Sequence, residues 1–201
     1  MWIAVLLAGG AGSRLGGRHK PAITVAGHTL LDRALAAVRD ADRVVVVGPP
    51  QPTSRPVRWT REDPPGGGPV AALAAGLADE TDIADDTDVV VLATDLAKIT
   101  AGTIDRLRAA LAKQPDQDGV VLCDHAGRRQ WLIGVWRAGS LRAALPAEPQ
   151  GASLHATLGG LAVATLPEWL GESADIDTLT DLTRLLIEHH EGGGPSRPSH
   201  W

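Results

Sequence analysis

The sequence predicts an α/β domain with a sheet layered between helices, and three observations carry that expectation. Strand-like apolar runs alternate with helix-like amphipathic ones along most of the 201 residues, the pattern of a layered fold. The run Asp88–Ala93 is β-branched and unbroken, as a parallel strand buried on both faces should be. A glycine-rich loop follows the first apolar run, and such sheets bind ligands beyond the carboxyl ends of their strands.

The elements follow in order. Trp2–Ala8 is an almost purely apolar first strand, and Leu30–Arg39 places apolar residues at helical spacing. Val44–Val47 is a second, short strand closed by a Pro-rich turn, and Val57–Thr60 a third. Val70–Leu77 reads as a helix, Asp88–Ala93 as the fourth strand and Thr103–Ala112 as a further helix. Gly119–Cys123 and Trp131–Trp136 are two more strands, and Leu161–Leu166 is the last. A final helix is expected from Thr178, because Thr178-Leu179-Thr180-Asp181 has capping-box spacing. The segment after Glu191, Gly-Gly-Gly-Pro-Ser-Arg-Pro-Ser-His-Trp, cannot build a core and is expected to be a flexible tail or linker. Residues 1–190 then form one domain and 191–201 the tail. That length suffices for a substantial core.

Composition narrows the function. A net charge of −5 argues against a general nucleic-acid binder, so positive charge near the glycine loop is local. Cys123 is the only cysteine, which excludes an internal disulfide framework and fits a reducing, cytoplasmic setting. The apolar start is short, lacks a basic flank and ends in glycines, so it reads as a strand and not a signal peptide. No apolar stretch approaches the length needed to span a membrane.

The loop itself is the strongest functional signal. Leu7-Ala8-Gly9-Gly10-Ala11-Gly12-Ser13-Arg14-Leu15-Gly16-Gly17-Arg18-His19-Lys20 holds five glycines and four basic side chains. Bare backbone N–H groups and fixed cations both stabilise phosphate oxygens. A dinucleotide fingerprint fails because Leu15 stands where its third glycine belongs. A P-loop fails because Arg18 and His19 occupy its Lys and Ser/Thr positions, and imidazole is a poor ligand for a hard cation. A glycine-rich surface turn is the plain alternative.

Two carboxylates gain meaning from this scheme. Asp95 follows the strand Asp88–Ala93 through Thr94, which puts it on the same sheet edge as the loop. There it can hold Mg²⁺ against nucleotide phosphates, or simply cap the next helix. Asp63 lies in Arg61-Glu62-Asp63-Pro64-Pro65-Gly66-Gly67-Gly68-Pro69-Val70. It can accept hydrogen bonds from the N–H groups of a base, although an ordinary Pro/Gly loop explains the segment equally. Asp175 and Asp177 either serve a site or lead into the helix expected at Thr178.

Together these stretches resemble the molybdenum-cofactor guanylyltransferase (MobA-like NTP transferase) family of the nucleotidyltransferase superfamily, from the first strand to about residue 185. The loop through Lys20 is similar to L-A-G-G-x-S-x-R-M-G-x-D-K. Glu62-Asp63 with Gly68-Pro69-Val70-Ala71-Ala72-Leu73 resembles E-D…G-P-L-A-G-L. Thr94-Asp95 falls at the family's metal-binding aspartate, and Gln130–Arg137 resembles Q-P-L-x-A-V-Y-R. Asp175-Ile176-Asp177-Thr178 falls where N-x-N-T-P usually stands. The departures are Ala97 in place of the proline of D-x-P, His19 before the lysine, and aspartates for both asparagines. Ser153 and His155 stand near the place of an arginine found in some relatives.

The resemblance implies a three-layer α/β/α, Rossmann-like nucleotide-diphospho-sugar transferase fold, its sheet mostly parallel with an antiparallel strand. It implies Mg²⁺-dependent transfer of GMP from GTP to the phosphate of molybdopterin, with release of pyrophosphate. Arg14, Lys20 and Asp95 would be catalytic. The nucleotide would be held by Leu7, Ala8, Gly9, Gly10, Ala11, Gly12, Ser13, Lys20 and Asp63, with the metal on Asp95 and Asp177. The short interval from Arg14 to Lys20 separates the chain from sugar-nucleotide pyrophosphorylases. Gly9 stands where cytidylyltransferase relatives tend to carry alanine, which favours guanine. Expected partners are GTP, a phosphorylated acceptor and proteins of cofactor delivery, with neither nucleic acid nor membrane. The alternatives are another nucleotide or acceptor on the same fold, such as a sugar phosphate or another pterin, or a non-catalytic nucleotide-binding module.

Overall fold

The computed structural model describes residues 1–9, 20–25, 27–169 and 171–175. Its main sheet has seven strands: β1 (Trp2–Leu7), β4 (Arg43–Val47), β5 (Arg58–Thr60), β6 (Asp88–Ala93), β7 (Gly119–Cys123), β8 (Arg129–Arg137) and β9 (Val163–Pro167). A separate two-residue hairpin, β2 (Thr24–Val25) with β3 (His28–Thr29), precedes the first helix. The helices are α1 (Leu30–Ala37), α2 (Pro69–Leu77), α3 (Ala101–Ala112), α4 (Ala138–Ala144) and α5 (Leu154–Leu158). Among the described residues no helix is long and apolar enough to cross a membrane.

The strand order is β5-β4-β1-β6-β8-β7-β9. All neighbours pair in parallel except β8, which runs antiparallel to both β6 and β7. The expected three-layer α/β/α sandwich with an antiparallel strand is therefore what the chain adopts. Ala4, Leu6, Val44, Val46, Val90 and Leu92 pack on α1 and α3. Ile3, Val5, Leu7, Val45, Val47, Val89 and Val91 pack on α2, α4 and α5. Both faces are covered, and that is why the central strands read as continuous apolar runs without alternation. Gly76 lets α2 lie close on the sheet, since a Cβ there would sit 2.5 Å from Val5 Cγ1.

Two features of this topology position a site. The connections from β1 to β4 to β5 build outwards in one direction, and β6 then returns to the other flank of β1. The carboxyl ends of β1 and β6 thus form the switch point of the sheet, the place where such folds bind ligands. Because β8 is antiparallel, its amino end shares that edge. Between the pairs Val121↔Gly134 and Leu122↔Gln130, residues 131–133 have no partner on β7. Such a bulge re-aims side chains.

Several boundaries differ from expectation. The first helix stops at Ala37 and not Arg39, and the last strand is shifted to Val163–Pro167. Helix α2 starts one residue early because Pro69 suits a first helical position. Helix α3 starts at Ala101 because Thr100 and Thr103 form a reciprocal cap. The helix expected at Thr178 and the tail 191–201 lie outside the described residues.

Candidate functional site

The end of β1 is tied to both flanking strands. Ala8 N donates to Val47 O at 2.8 Å, while Thr94 N and Thr94 Oγ1 both donate to Leu7 O, at 3.2 and 3.1 Å. Leu7 and Ala8 are buried, whereas Gly9 emerges exposed at the edge. A Cβ on Gly9 would meet no described atom within 4 Å, and its backbone is outside the left-handed region. Nothing among the described residues therefore requires glycine there. Gly48 is different: a Cβ on it would sit 2.9 Å from Ala8 O, so the β4 turn needs its glycine to approach β1.

Asp95 lies half-buried immediately beyond Thr94. The double donation of Thr94 to Leu7 fixes it beside the exit of β1. Leu96, the next residue, pairs in an antiparallel bridge with Asp175. This long-range contact brings the acid-containing C-terminal segment to Asp95. Asp175 itself is exposed there.

Asp63 is exposed in the turn between β5 and α2, on the same sheet edge. Its carbonyl accepts from Gln150 Nε2 at 3.1 Å, and Gly151 N donates to Gly67 O at 2.8 Å. Glu62 Oε1 accepts from Gly66 N at 3.0 Å. The turn is thus docked on the 149–151 loop. Gly68 gives α2 no side-chain cap.

The structure brings Leu7, Ala8, Gly9, Thr94, Asp95 and Asp175 together and holds Asp63 against the 149–151 loop. Gly10, Ala11, Gly12, Ser13, Arg14 and Asp177 lie outside the described residues. Lys20 begins a short 3₁₀ turn, Lys20–Ala22, and its side chain is likewise outside them.

The motif glutamine has a structural task. Asp124, at the end of β7, accepts from the N–H groups of Arg128 and Ala126, both at 2.9 Å, from Arg128 Nε at 2.9 Å and from Gln130 Nε2 at 3.2 Å. The Arg128 backbone N–H contributes most to holding this carboxyl below its ordinary range. The hairpin that carries Gln130 is thereby fixed.

Sequence reasoning missed an aromatic group beside it. Trp131, on the bulge, stacks on Trp136 with ring centroids 6.3 Å apart, and His155 meets its edge at 6.0 Å. The Arg129 guanidinium stands 5.5 Å from the Trp131 ring centroid. The available signal was Trp131 in place of the motif proline, but only the fold shows that it meets His155.

A hard cation suits the donors present. Asp95 and Asp175 offer carboxylate oxygens, and among the described residues no group of three His, Cys, Asp or Glu gathers into a closed metal cage. Mg²⁺ is ordinarily held by one or two carboxylates together with substrate phosphates and water.

Known proteins share this architecture. A family model, the MobA-like NTP transferase domain, matches residues 4–162. The molybdopterin-guanine dinucleotide biosynthesis protein A of Archaeoglobus fulgidus superposes with a TM-score of 0.67 at 18% identity, over 94% of this chain and 99% of that one. A Mycobacterium sp. strain JC1 homologue of Mycobacterium tuberculosis Rv0371c gives 0.71 at 19%, over 94% and 96%. The 2-C-methyl-D-erythritol 4-phosphate cytidylyltransferase of Thermus thermophilus gives 0.66 at 21%, over 94% and 100%. At these identities the solved structures show the shared fold. No curated protein sequence matches the chain.

Proposed function

The chain belongs to the MobA-like NTP transferase family and is a nucleotidyltransferase acting on a nucleoside triphosphate; from that premise we propose that it moves GMP from GTP to the phosphate of molybdopterin and releases pyrophosphate. The observation that carries the reading is the meeting of Asp95 with the exit of β1 at the switch point, enforced by Thr94. Gly9, exposed at the exit of β1, supports a purine, because cytidylyltransferase relatives tend to carry alanine there.

An oxygen of the acceptor phosphate attacks the α-phosphorus in line, and the bond from that phosphorus to the pyrophosphate oxygen breaks. A phosphate monoester has its second pKa near about 6, so the nucleophile is already ionised and no general base is needed. What the reaction needs is alignment and charge neutralisation. Mg²⁺ held by Asp95, with Asp177 as a second ligand, would supply part of that neutralisation at the α-phosphate. Arg14 and Lys20 stabilise the departing pyrophosphate, assisted by backbone N–H groups of Gly10–Ser13. Asp63 and the backbone of Leu7–Gly10 hold the guanine.

One observation favours a second reading, in which the acceptor differs. Ser153 is committed to capping α5, its Oγ accepting from Ala156 N at 3.4 Å, and His155 is packed on Trp131. The region where some relatives carry an arginine is therefore aromatic in this chain. Thermal shifts with GTP, CTP, dTTP and UTP plus Mg²⁺, followed by pyrophosphate release with molybdopterin, test both readings. GTP alone should stabilise strongly and turn over; a preference for another triphosphate refutes the guanylyl assignment.

A further inference from the structure

We propose that Glu172 is a positioning residue for the metal-binding end of this site, acting through the C-terminal segment that it clamps to α3. The inference rests on the assignment of Asp95 as a metal ligand.

After β9 the chain turns back along the sheet edge, with Glu168 N donating to Cys123 O at 2.9 Å. Four residues later Glu172 is buried, only 6% exposed. Its Oε1 accepts from Thr103 Oγ1 and from Arg106 Nη1, the latter at 2.9 Å. Its Oε2 accepts from the same Nη1 at 3.0 Å and from Trp169 N at 2.7 Å. Arg106 also donates to Pro167 O at 2.9 Å, and its guanidinium lies 3.6 Å from the centroid of Trp169. One carboxylate thus joins the first turn of α3 to the returning chain.

Both attachments lead to Asp95. Helix α3 opens six residues beyond Asp95 (Ala101 against 95), so the loop carrying the aspartate ends on the helix turn that Glu172 grips. Three residues past Glu172, Asp175 pairs with Leu96, the neighbour of Asp95. The arcs 95–103 and 172–175 therefore close a ring through two non-covalent joints, and Asp177 lies just past one of them in sequence.

Burying a carboxylate is costly unless every lone pair is used, and an apolar cluster would hold two segments together at least as well. The charged joint is directional. It fixes where the segment leaves α3, as outer partners do when they orient metal ligands. It lies between the loop that carries Asp95 and the segment that carries Asp175.

The test is Mn²⁺ binding, read from the electron paramagnetic resonance of the free ion, by full-length protein with a non-hydrolysable α,β-methylene GTP. Glu172→Gln is expected to weaken Mn²⁺ binding by about tenfold or more, with metal-free affinity for the analogue unchanged. Arg106→Lys, whose single ammonium cannot hold Glu172 and donate to Pro167 O while lying on the Trp169 ring, should weaken it severalfold, while Thr103→Ser keeps the hydroxyl and wild-type binding. Wild-type Mn²⁺ affinity in both Glu172→Gln and Arg106→Lys, with affinity lost in Asp95→Asn, overturns the positioning role alone. Wild-type affinity in Asp95→Asn overturns the metal assignment first, and the inference with it.

Discussion

Thr94→Val removes one hydrogen bond at the seam between β1 and β6 and little else. The hydroxyl is replaced by a methyl of nearly the same size, in a site where Thr94 is 3% exposed. Leu7 O loses the donor at 3.1 Å but keeps Thr94 N at 3.2 Å, so no buried carbonyl is left unpaired. The loss is then one ordinary net hydrogen bond, about 1 kcal/mol. For a domain of this length that corresponds to a melting temperature lower by roughly 2–4 °C. The effect on turnover should be disproportionate, because Thr94 sets the position of Asp95, and a misplacement on the order of 1 Å can cost about a hundredfold. Urea denaturation gives the stability change and pyrophosphate release gives turnover. A variant that loses about 1 kcal/mol yet turns over like the wild type refutes the idea that this tie positions Asp95.

Two further outcomes follow from the same geometry. Gly9→Ala should change stability by less than about 0.5 kcal/mol, since its Cβ meets no described atom. Its ratio of kcat/KM for GTP over CTP should nevertheless fall by about tenfold or more, the worth of one ill-placed methyl. Asp124 has its folded-state pKa lowered from the ordinary 3.8, chiefly by the Arg128 backbone N–H. A depressed carboxyl contributes stability that is full above its unfolded value and disappears as pH falls from about 3.8 towards the folded value. Asp124→Asn should flatten that acid limb in urea titrations between neutral and strongly acidic pH, and an unchanged limb would refute the assignment.

The sequence carried the sheet well because each central strand is buried on both faces, so Val89–Leu92 and Ile3–Leu7 read as uninterrupted apolar runs. Asp95 was legible for the same reason: a residue following such a strand must lie at its carboxyl end. Helices α4 and α5 were not legible, being short, and only Ser153 offers a cap signal. The β2–β3 hairpin has two residues per strand, too few for any alternation to appear. What no local pattern could reveal are contacts between distant segments. Leu96 with Asp175, Trp131 with His155, and Glu172 with Thr103 and Arg106 depend on how the layers stack. The first two join segments that carry separate motifs in the sequence; the third involves residues that lie in none.

The central claim is that Asp95 holds the metal against a triphosphate gripped by the loop after β1. Transfer of α-labelled GMP and release of pyrophosphate, measured with Mg²⁺ for the wild type and for Asp95→Asn, test it most directly. Because the tie from Thr94 to Leu7 does not involve the Asp95 side chain, the variant should keep the wild-type circular dichroism spectrum and still bind nucleotide without metal. Its turnover should fall by about a hundredfold or more. A folded Asp95→Asn protein with wild-type turnover in Mg²⁺ would contradict the account.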